Sequence, residues 1–276
     1  MPNRSFHFIP AHRPSLLEKA SSLAADHIVY DLEDGVPTGD KKTARHHLHE
    51  HLACGSHSQT WVRCNPTKSK AFADDISLLQ KFPTAGIVLP KFEEANLIDR
   101  INAIDTMQKR RFIVIIETFA AVEMLPILAM HKSVFAIAVG LEDLLSEFVV
   151  PNDRLTEIAQ HVRLRALVAA KAYGRVCIDG ISTEYMDVNR LNCECEQSRN
   201  LGFDGKFTIH PKQISVVNKL YSVSDESRIW AEQVLDKSNQ ETGVGYTIKD
   251  GELITPPKVA KAKRIADAIE ESNDQR

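Results

Sequence analysis

Carboxylates and cations stand at the ends of short apolar runs along this sequence. Residues 27–30 lead into Asp31-Leu32-Glu33-Asp34, residues 60–62 into Arg63-Cys64-Asn65, and residues 86–89 into Pro90-Lys91. Residues 111–116 lead into Glu117-Thr118, residues 134–139 into Gly140-Leu141-Glu142-Asp143, and two later runs carry Asp179 and His210-Pro211. Two carboxylates such as Glu117 and Asp143, completed by water and substrate oxygens, form the usual donor set for Mg2+. The structural alternative is that each acid sits at the start of the helix after it. Arg63 can grip a carboxylate through two parallel N–H bonds. Its structural alternative is an ion pair with Glu33 or Asp34. Strand alternation places Asp31 and Glu33 on one face and Asp34 on the other, with Lys41 and Arg45 downstream as partners. His46, His47, His49 and His51 crowd one predicted helix, where only His47 and His51 have metal-pair spacing and no Glu follows His47. They read as a solvated helix face. His210, at a strand end, is a candidate for the mouth, and Pro211 after it points equally to a structural turn.

The elements that must position these groups follow a repeat. Apolar runs at residues 5–10, 27–32, 60–65, 86–90, 111–117, 134–140, 176–181 and 206–210 each precede an amphipathic stretch. The predicted helices cover residues 15–25, 41–52, 71–81, 93–107, up to 130, 156–173, 188–201 and 213–221. Continuous apolar strands separated by helices imply a parallel sheet covered on both faces. This many units closes naturally into an α/β fold of the (β/α)8 TIM-barrel type, with chemistry at the carboxyl ends of the strands. A doubly wound sheet is the competing architecture, but no G-x-G-x-x-G follows the first strand. The boundaries expected are a barrel over residues 1–222 and a C-terminal extension over 223–276. In that extension residues 226–237 and 257–269 read as helices, and 243–254 as a hairpin turning at 249–252.

A chain of 276 residues buries roughly three quarters of its unfolded surface, so it needs no disulfide staples. The odd cysteine count, 5, lacks regular spacing, and Cys193-x-Cys195 is not a zinc pair. Scattered reduced thiols and no export signal near the first residue point to a cytoplasmic protein. A net charge of −3 lacks the strong basic bias of a dedicated nucleic-acid binder, and no apolar run is long enough for a membrane helix.

Phe8-Ile-Pro-Ala-His-Arg-Pro14, Asp31-Leu-Glu-Asp-Gly-Val36 with Lys41 and Ala44-Arg45, Val62-Arg63-Cys-Asn65, Leu89-Pro-Lys91, Ile116-Glu-Thr118, Gly140-Leu-Glu-Asp-Leu144 and Ile209-His-Pro-Lys-Gln-Ile214 occur in that order. In this the chain resembles the citrate lyase β-subunit-like (CitE-like) family of the HpcH/HpaI aldolase superfamily, from Arg4 to about Tyr221. The resemblance implies a (β/α)8 barrel with Mg2+ held by Glu117 and Asp143. It implies Arg63 on the carboxylate of a 2-oxo acid, the acidic pair Glu33 and Asp34 beside the metal, and a trimer or hexamer of identical chains. It also implies carbon–carbon bond cleavage or formation between an acyl-CoA and a 2-oxo acid such as oxaloacetate, as in citryl-CoA and malyl-CoA lyases. Arg63, Glu117, Arg4 and Lys91 are the substrate-binding residues expected, and Arg63, Glu33 and Asp34 the catalytic ones.

One departure stands out. In many such lyases a C-terminal lid carries an Asp in a Met-Ile-Asp-x-Pro context, whereas this chain has Leu253-Ile-Thr-Pro-Pro257. Threonine cannot perform carboxylate acid–base chemistry at neutral pH, which leaves Glu33 or Asp34 for that task. CoA phosphates have candidate partners in Arg13 and in the basic face of Lys258, Lys261, Lys263 and Arg264, which also reads as a solvated helix face. Two other functions fit the same residues: a CoA-independent aldolase of 2-oxo acids, and a non-catalytic subunit that binds a 2-oxo acid.

Overall fold

The apolar runs are strands because Ile, Val and Phe dominate them, and strands buried on both faces tolerate no polar alternation. The computed structural model describes residues 2–55, 60–94, 96–104, 110–151, 154–240, 246–247 and 253–273. The strands are β1 (Ser5–Pro10), β2 (His27–Asp31), β3 (Thr60–Arg63), β4 (Gly86–Leu89), β5 (Phe112–Ile116), β6 (Val134–Val139), β7 (Val176–Asp179) and β8 (Gly205–Thr208). They pair side by side in parallel, and β8 returns to β1 to close the barrel. The fold class read from the sequence is the one found.

Alternation along the strands decides what faces the axis. Phe6 and Phe8, Val29, Trp61, Ile113 and Ile115, Ile178 and Phe207 form the inner core. Their neighbours Ile28, Tyr30, Val62, Ile87 and Val114 pack outward against the helices. The same alternation carried two residues further brings Asp31 after Val29, Arg63 after Trp61 and Glu117 after Ile115 to the carboxyl mouth. Asp179 follows inward-facing Ile178 and therefore points away from the axis.

The covering helices are α1 (Pro14–Lys19), α2 (Lys41–Ala53), α3 (Ala71–Leu79), α4 (Leu97–Ile104), α5 (Phe119–Met130), α6 (Leu141–Leu145), α7 (Thr156–Ala172), α8 (Val188–Leu201) and α9 (Pro211–Tyr221). Helix α1 is shorter than the predicted 15–25. It passes into a 3-10 turn at Ala20–Ser22, where Ser22 Oγ donates to the Lys19 carbonyl and competes with the helical ladder. Helix α6 was not predicted, since a single turn carries no readable period. Residues 105–107 of the fourth predicted helix lie outside the described residues. Arg110 donates to the carbonyls of Leu79, Phe82 and Ala85, which satisfies acceptors left over at the end of α3.

The chain divides into two compact units, Asn3–Tyr221 and the residues from Ser222 onward. In the second, α10 (Asp225–Gln240) and α11 (Pro256–Asn273) pack on each other around Ala231, Val234, Ile254 and Ala262. A short antiparallel pair joins β9 (Tyr246–Thr247) to β10 (Leu253–Ile254), while the turn read at 249–252 lies outside the described residues. No helix among the described residues is long and apolar enough to cross a membrane.

Candidate active site

Asp31 is the anchor of the mouth. Its Oδ1 accepts from the Glu33 amide at 2.8 Å and from Arg63 Nε at 2.8 Å. Its Oδ2 accepts from the Gly35 amide at 2.8 Å and from Arg63 Nη2 at 2.7 Å. A Cβ on Gly35 would fall 2.3 Å from Asp31 Oδ2, so only glycine leaves this carboxylate its place. Burial alone would raise the Asp31 carboxyl, but Arg63 and the two amides hold it below the usual carboxylate range.

Asp31 therefore takes one edge of the Arg63 guanidinium, and the plane lies over the Phe8 ring at 4.6 Å. Arg63 Nη1 is 3.1 Å from Glu33 Oε2, an ion pair outside hydrogen-bonding geometry. Sequence reasoning expected Glu33 or Asp34 as the structural partner of Arg63. The principal partner is Asp31, and Gly35 four residues on was the available signal. Lys41 does not pair with the acidic side chains. Its Nζ donates to the carbonyls of Leu32 at 2.8 Å and Glu33 at 2.6 Å, pinning the loop after β2. Arg45 pairs instead with Asp74 and Asp75, and Asp75 in turn accepts from the amide and side chain of Asn65.

Glu33 is almost wholly buried, and its Oε1 accepts from Lys91 Nζ at 2.8 Å. Burial raises its carboxyl against the opposing pull of Arg63 and Lys91, and Asp34 adds to the rise. Asp34 is exposed, with its Oδ2 3.2 Å from Lys91 Nζ. Lys91 is the one non-glycine residue with positive φ among the described residues, at 46°. Its backbone N–H donates to Glu117 Oε1 at 2.5 Å.

Glu117 is 5% exposed. Its carboxyl is pushed up to about 8 by burial first, then by Glu33 and Asp143, against the Lys91 amide and Arg63. It does not cap α5: Thr118 does, accepting from the Ala121 amide, while Thr118 Oγ1 donates to the Phe92 carbonyl. A Cβ on Gly140 would lie 2.9 Å from both Cβ and Oε2 of Glu117, so the glycine keeps open the space beside that oxygen. Asp143 sits in the first turn of α6. Glu117, Asp143, Glu142 and Arg63 line one cavity of about 240 Å³. A groove of about 470 Å³ includes Glu33, Asp34 and Lys91 and passes Thr38, Ser69 and Lys70.

The structure thus gathers Glu33, Asp34, Arg63, Lys91, Glu117 and Asp143 at one end of the barrel. It does not bring Arg4 there. Arg4 precedes β1, at the amino-terminal end, where Nε and Nη2 bond Asp26 at 2.9 and 2.7 Å. The expected substrate contact of Arg4 is corrected on that ground. His210 accepts from the Lys212 amide at the start of α9 and stacks on Tyr185. The histidines of α2 are not uniformly solvated, since His51 Nε2 meets the Tyr30 hydroxyl at 2.7 Å. No group of three or more His, Cys, Asp or Glu among the described residues is arranged to hold a metal, so any ion here rests on fewer protein ligands and on substrate or water oxygens.

On the β7–β8 side of the cavity that Glu117 and Arg63 line, Asp179 of β7 meets Lys206 of β8 at 3.2 Å and Arg163 of α7 at 3.2 Å. Lys206 also lies 3.6 Å from Glu194 of α8. Burial opposes charge on Asp179, but Lys206 and Arg163 hold its carboxyl below the usual range. In the second unit, the Thr255 carbonyl accepts from the amides of Lys258 and Val259 at the start of α11. Lys258 Nζ donates to the Leu253 carbonyl, and Lys261 lies over the Trp230 ring.

A sequence model of the HpcH/HpaI aldolase/citrate lyase family matches residues 4–211. A citrate lyase subunit beta-like protein of Mycobacterium tuberculosis is 31% identical over 263 residues, 94% of this chain and 92% of the relative. A (3S)-malyl-CoA thioesterase of Cereibacter sphaeroides is 29% identical over 268 residues, 95% of this chain and 93% of the relative. A crystal structure of CitE from Mycobacterium tuberculosis, in complex with magnesium, acetoacetate and coenzyme A, is similar with a TM-score of 0.81. Its sequence identity is 29%, and the match covers 97% of this chain and 98% of that one.

Proposed function

The chain belongs to the HpcH/HpaI aldolase/citrate lyase family, and we propose that it is a Mg2+-dependent lyase that cleaves or forms a carbon–carbon bond between an acyl-CoA and a 2-oxo acid. The observation that carries this reading is the setting of Glu117. One oxygen is fixed by the Lys91 amide, and the other faces the space left by Gly140 in a cavity shared with Asp143 and Arg63. No cation bonds Glu117 directly among the described residues, although Glu33 and Asp143 crowd it with like charge. A buried carboxylate in that position suits a hard divalent cation.

Glu117 and Asp143 would hold the ion. When bound, it supplies Lewis acidity toward substrate oxygens and neutralises charge that develops there. Arg63 has five N–H groups, and Asp31 occupies Nε and one on Nη2. Nη1 also faces Glu33 Oε2 at 3.1 Å without hydrogen-bonding geometry, and the remaining N–H groups on Nη1 and Nη2 orient the carboxylate of the 2-oxo acid. In the lytic direction Glu33 takes the substrate hydroxyl proton at Oε2, the oxygen that makes no hydrogen bond. The carbon–carbon bond breaks, the hydroxyl carbon becomes the keto group, and the electron pair stays on the CoA thioester as an enolate. Asp34, exposed at the rim, relays a proton from solvent to the enolate carbon. Thr255 leaves this acid–base work to the mouth itself.

Thioester hydrolysis is the second reading, favoured by the match to a (3S)-malyl-CoA thioesterase over nearly the whole chain. A panel of citryl-CoA, malyl-CoA, methylmalyl-CoA and citramalyl-CoA with Mg2+ separates the two. Lysis releases a 2-oxo acid and an acyl-CoA, whereas hydrolysis releases free CoA and the intact hydroxy acid. The lyase reading expects a 2-oxo acid from at least one substrate, with release abolished by Glu117→Ala and by Asp143→Ala. Free CoA alone would overturn it.

A further inference from the structure

We infer that Lys91 is a positioning residue: its left-handed backbone lets one residue hold Glu117 by its amide and Glu33 by its ammonium, fixing the metal-binding and proton-handling carboxylates relative to each other. The inference rests on the roles given above to Glu117 and Glu33.

The geometry is specific. Lysine has a Cβ and avoids positive φ, so a value of 46° persists only where the surroundings enforce it. Returning φ to an ordinary negative value would rotate the amide against the side chain by roughly 100°. The N–H could then no longer point at Glu117 while Nζ points at Glu33. Both contacts lie within hydrogen-bonding distance, the amide on Glu117 Oε1 and Nζ on Glu33 Oε1. The turn is held on its far side by Thr118 Oγ1, which donates to the carbonyl of Phe92, the residue after Lys91. The loop after β4 is thereby stitched to the end of β5 on both sides of the strained residue. The ammonium is engaged by Glu33 and Asp34, so it is committed to protein carboxylates. This role differs from the substrate contact that the sequence suggested for Lys91.

Three variants separate the two halves of the clamp. Lys91→Gly keeps the amide and tolerates positive φ but removes the ammonium. Lys91→Val resists positive φ and so disturbs the amide as well. Lys91→Arg restores a cation. Mn2+ binding, followed by the loss of the free-ion electron paramagnetic resonance signal, reads the Glu117 half without turnover. Steady-state kinetics on the accepted substrate read the Glu33 half.

Lys91→Gly is expected to bind Mn2+ within about threefold of wild type and to lose roughly 10- to 100-fold in kcat with little change in KM. Lys91→Arg is expected to recover part of that loss. Lys91→Val, checked for native circular dichroism, is expected to lose about tenfold or more in Mn2+ affinity. A rise in KM with kcat unchanged in Lys91→Gly would make Lys91 a substrate ligand and overturn the inference. So would wild-type Mn2+ affinity in Lys91→Val. Wild type and Glu117→Ala serve as controls: no Mn2+ binding by the wild type, or equal binding by both, would remove the metal reading itself.

Discussion

Two buried charge clusters occupy one barrel and are built to opposite rules. At the wall between β7 and β8, which closes one side of the cavity, Asp179 and Glu194 face Lys206 and Arg163, and Asp179 is held below the usual carboxylate range. At the mouth, Asp31 alone is satisfied in this way. Glu33 and Glu117 are both raised, and Asp34 and Asp143 add to the surplus of negative charge. The wall is a closed ledger of charge that ties β7 and β8 to α7 and α8. The mouth keeps a surplus of negative charge. The difference teaches where to look for chemistry: a satisfied buried ion pair is structure, and a crowded buried carboxylate is a site.

The largest effect that sharpens this contrast is on turnover. Glu117→Ala, Asp143→Ala and Arg63→Ala should each lower kcat/KM by about a thousandfold or more, as measured in the lyase assay. Lys206→Met should leave turnover per folded molecule nearly unchanged. It should instead cost about 3 kcal/mol in urea unfolding, because Asp179 and Glu194 lose a buried partner. A wall variant that stays stable but loses activity would break the distinction.

Proton linkage gives the next test. Glu117 titrates near 8 in the fold, above its ordinary value near 4.5 when unfolded. Its contribution to stability is therefore full below pH 4.5 and is lost as pH rises toward 8. The metal-free protein should lose a few kcal/mol over that window, seen as a falling Tm. Glu117→Gln should flatten the slope, and Mg2+ should restore wild-type stability at pH 8 with release of protons. Asp179 has the opposite sign: lowered in the fold, it stabilises above its ordinary value of 3.8 and loses that contribution as pH falls further. The smallest effect belongs to the start of α8, away from the charge clusters. Asp187→Ala removes the side chain that accepts from the Arg190 amide at the start of α8, and should cost about 1 kcal/mol in Tm-derived stability without altering kcat.

The barrel was legible because most strands are apolar runs that end at or just before a polar residue, and that pattern also marked Glu33, Arg63, Lys91, Glu117 and Asp143. What was not legible depends on which atoms meet once loops are fixed. Lys41 seeks carbonyls rather than side chains, and Arg45 reaches across to α3. Neither is encoded in spacing along the chain. The left-handed turn at Lys91 was equally hidden, since no glycine announces it. Arg4 is different. It stands immediately before the first strand, and in a parallel barrel the residue that opens a strand lies at the end away from the mouth, so the sequence already held that correction.

The closing seam between β1 and β8 carries a consequence for how the chain matures. His7 pairs with Thr208 across that seam, so the first strand waits for nearly all of the barrel sequence before its second edge is covered. During synthesis its neighbour β2 is available early, while the other edge stays open until residues 205–208 emerge. Folding should be slow and dominated by distant contacts, and a chain truncated before β8 should aggregate rather than idle. Residues beyond Tyr221 are not needed to close the ring, which makes Ser222 the natural place to cut when the ring's assembly is to be followed alone.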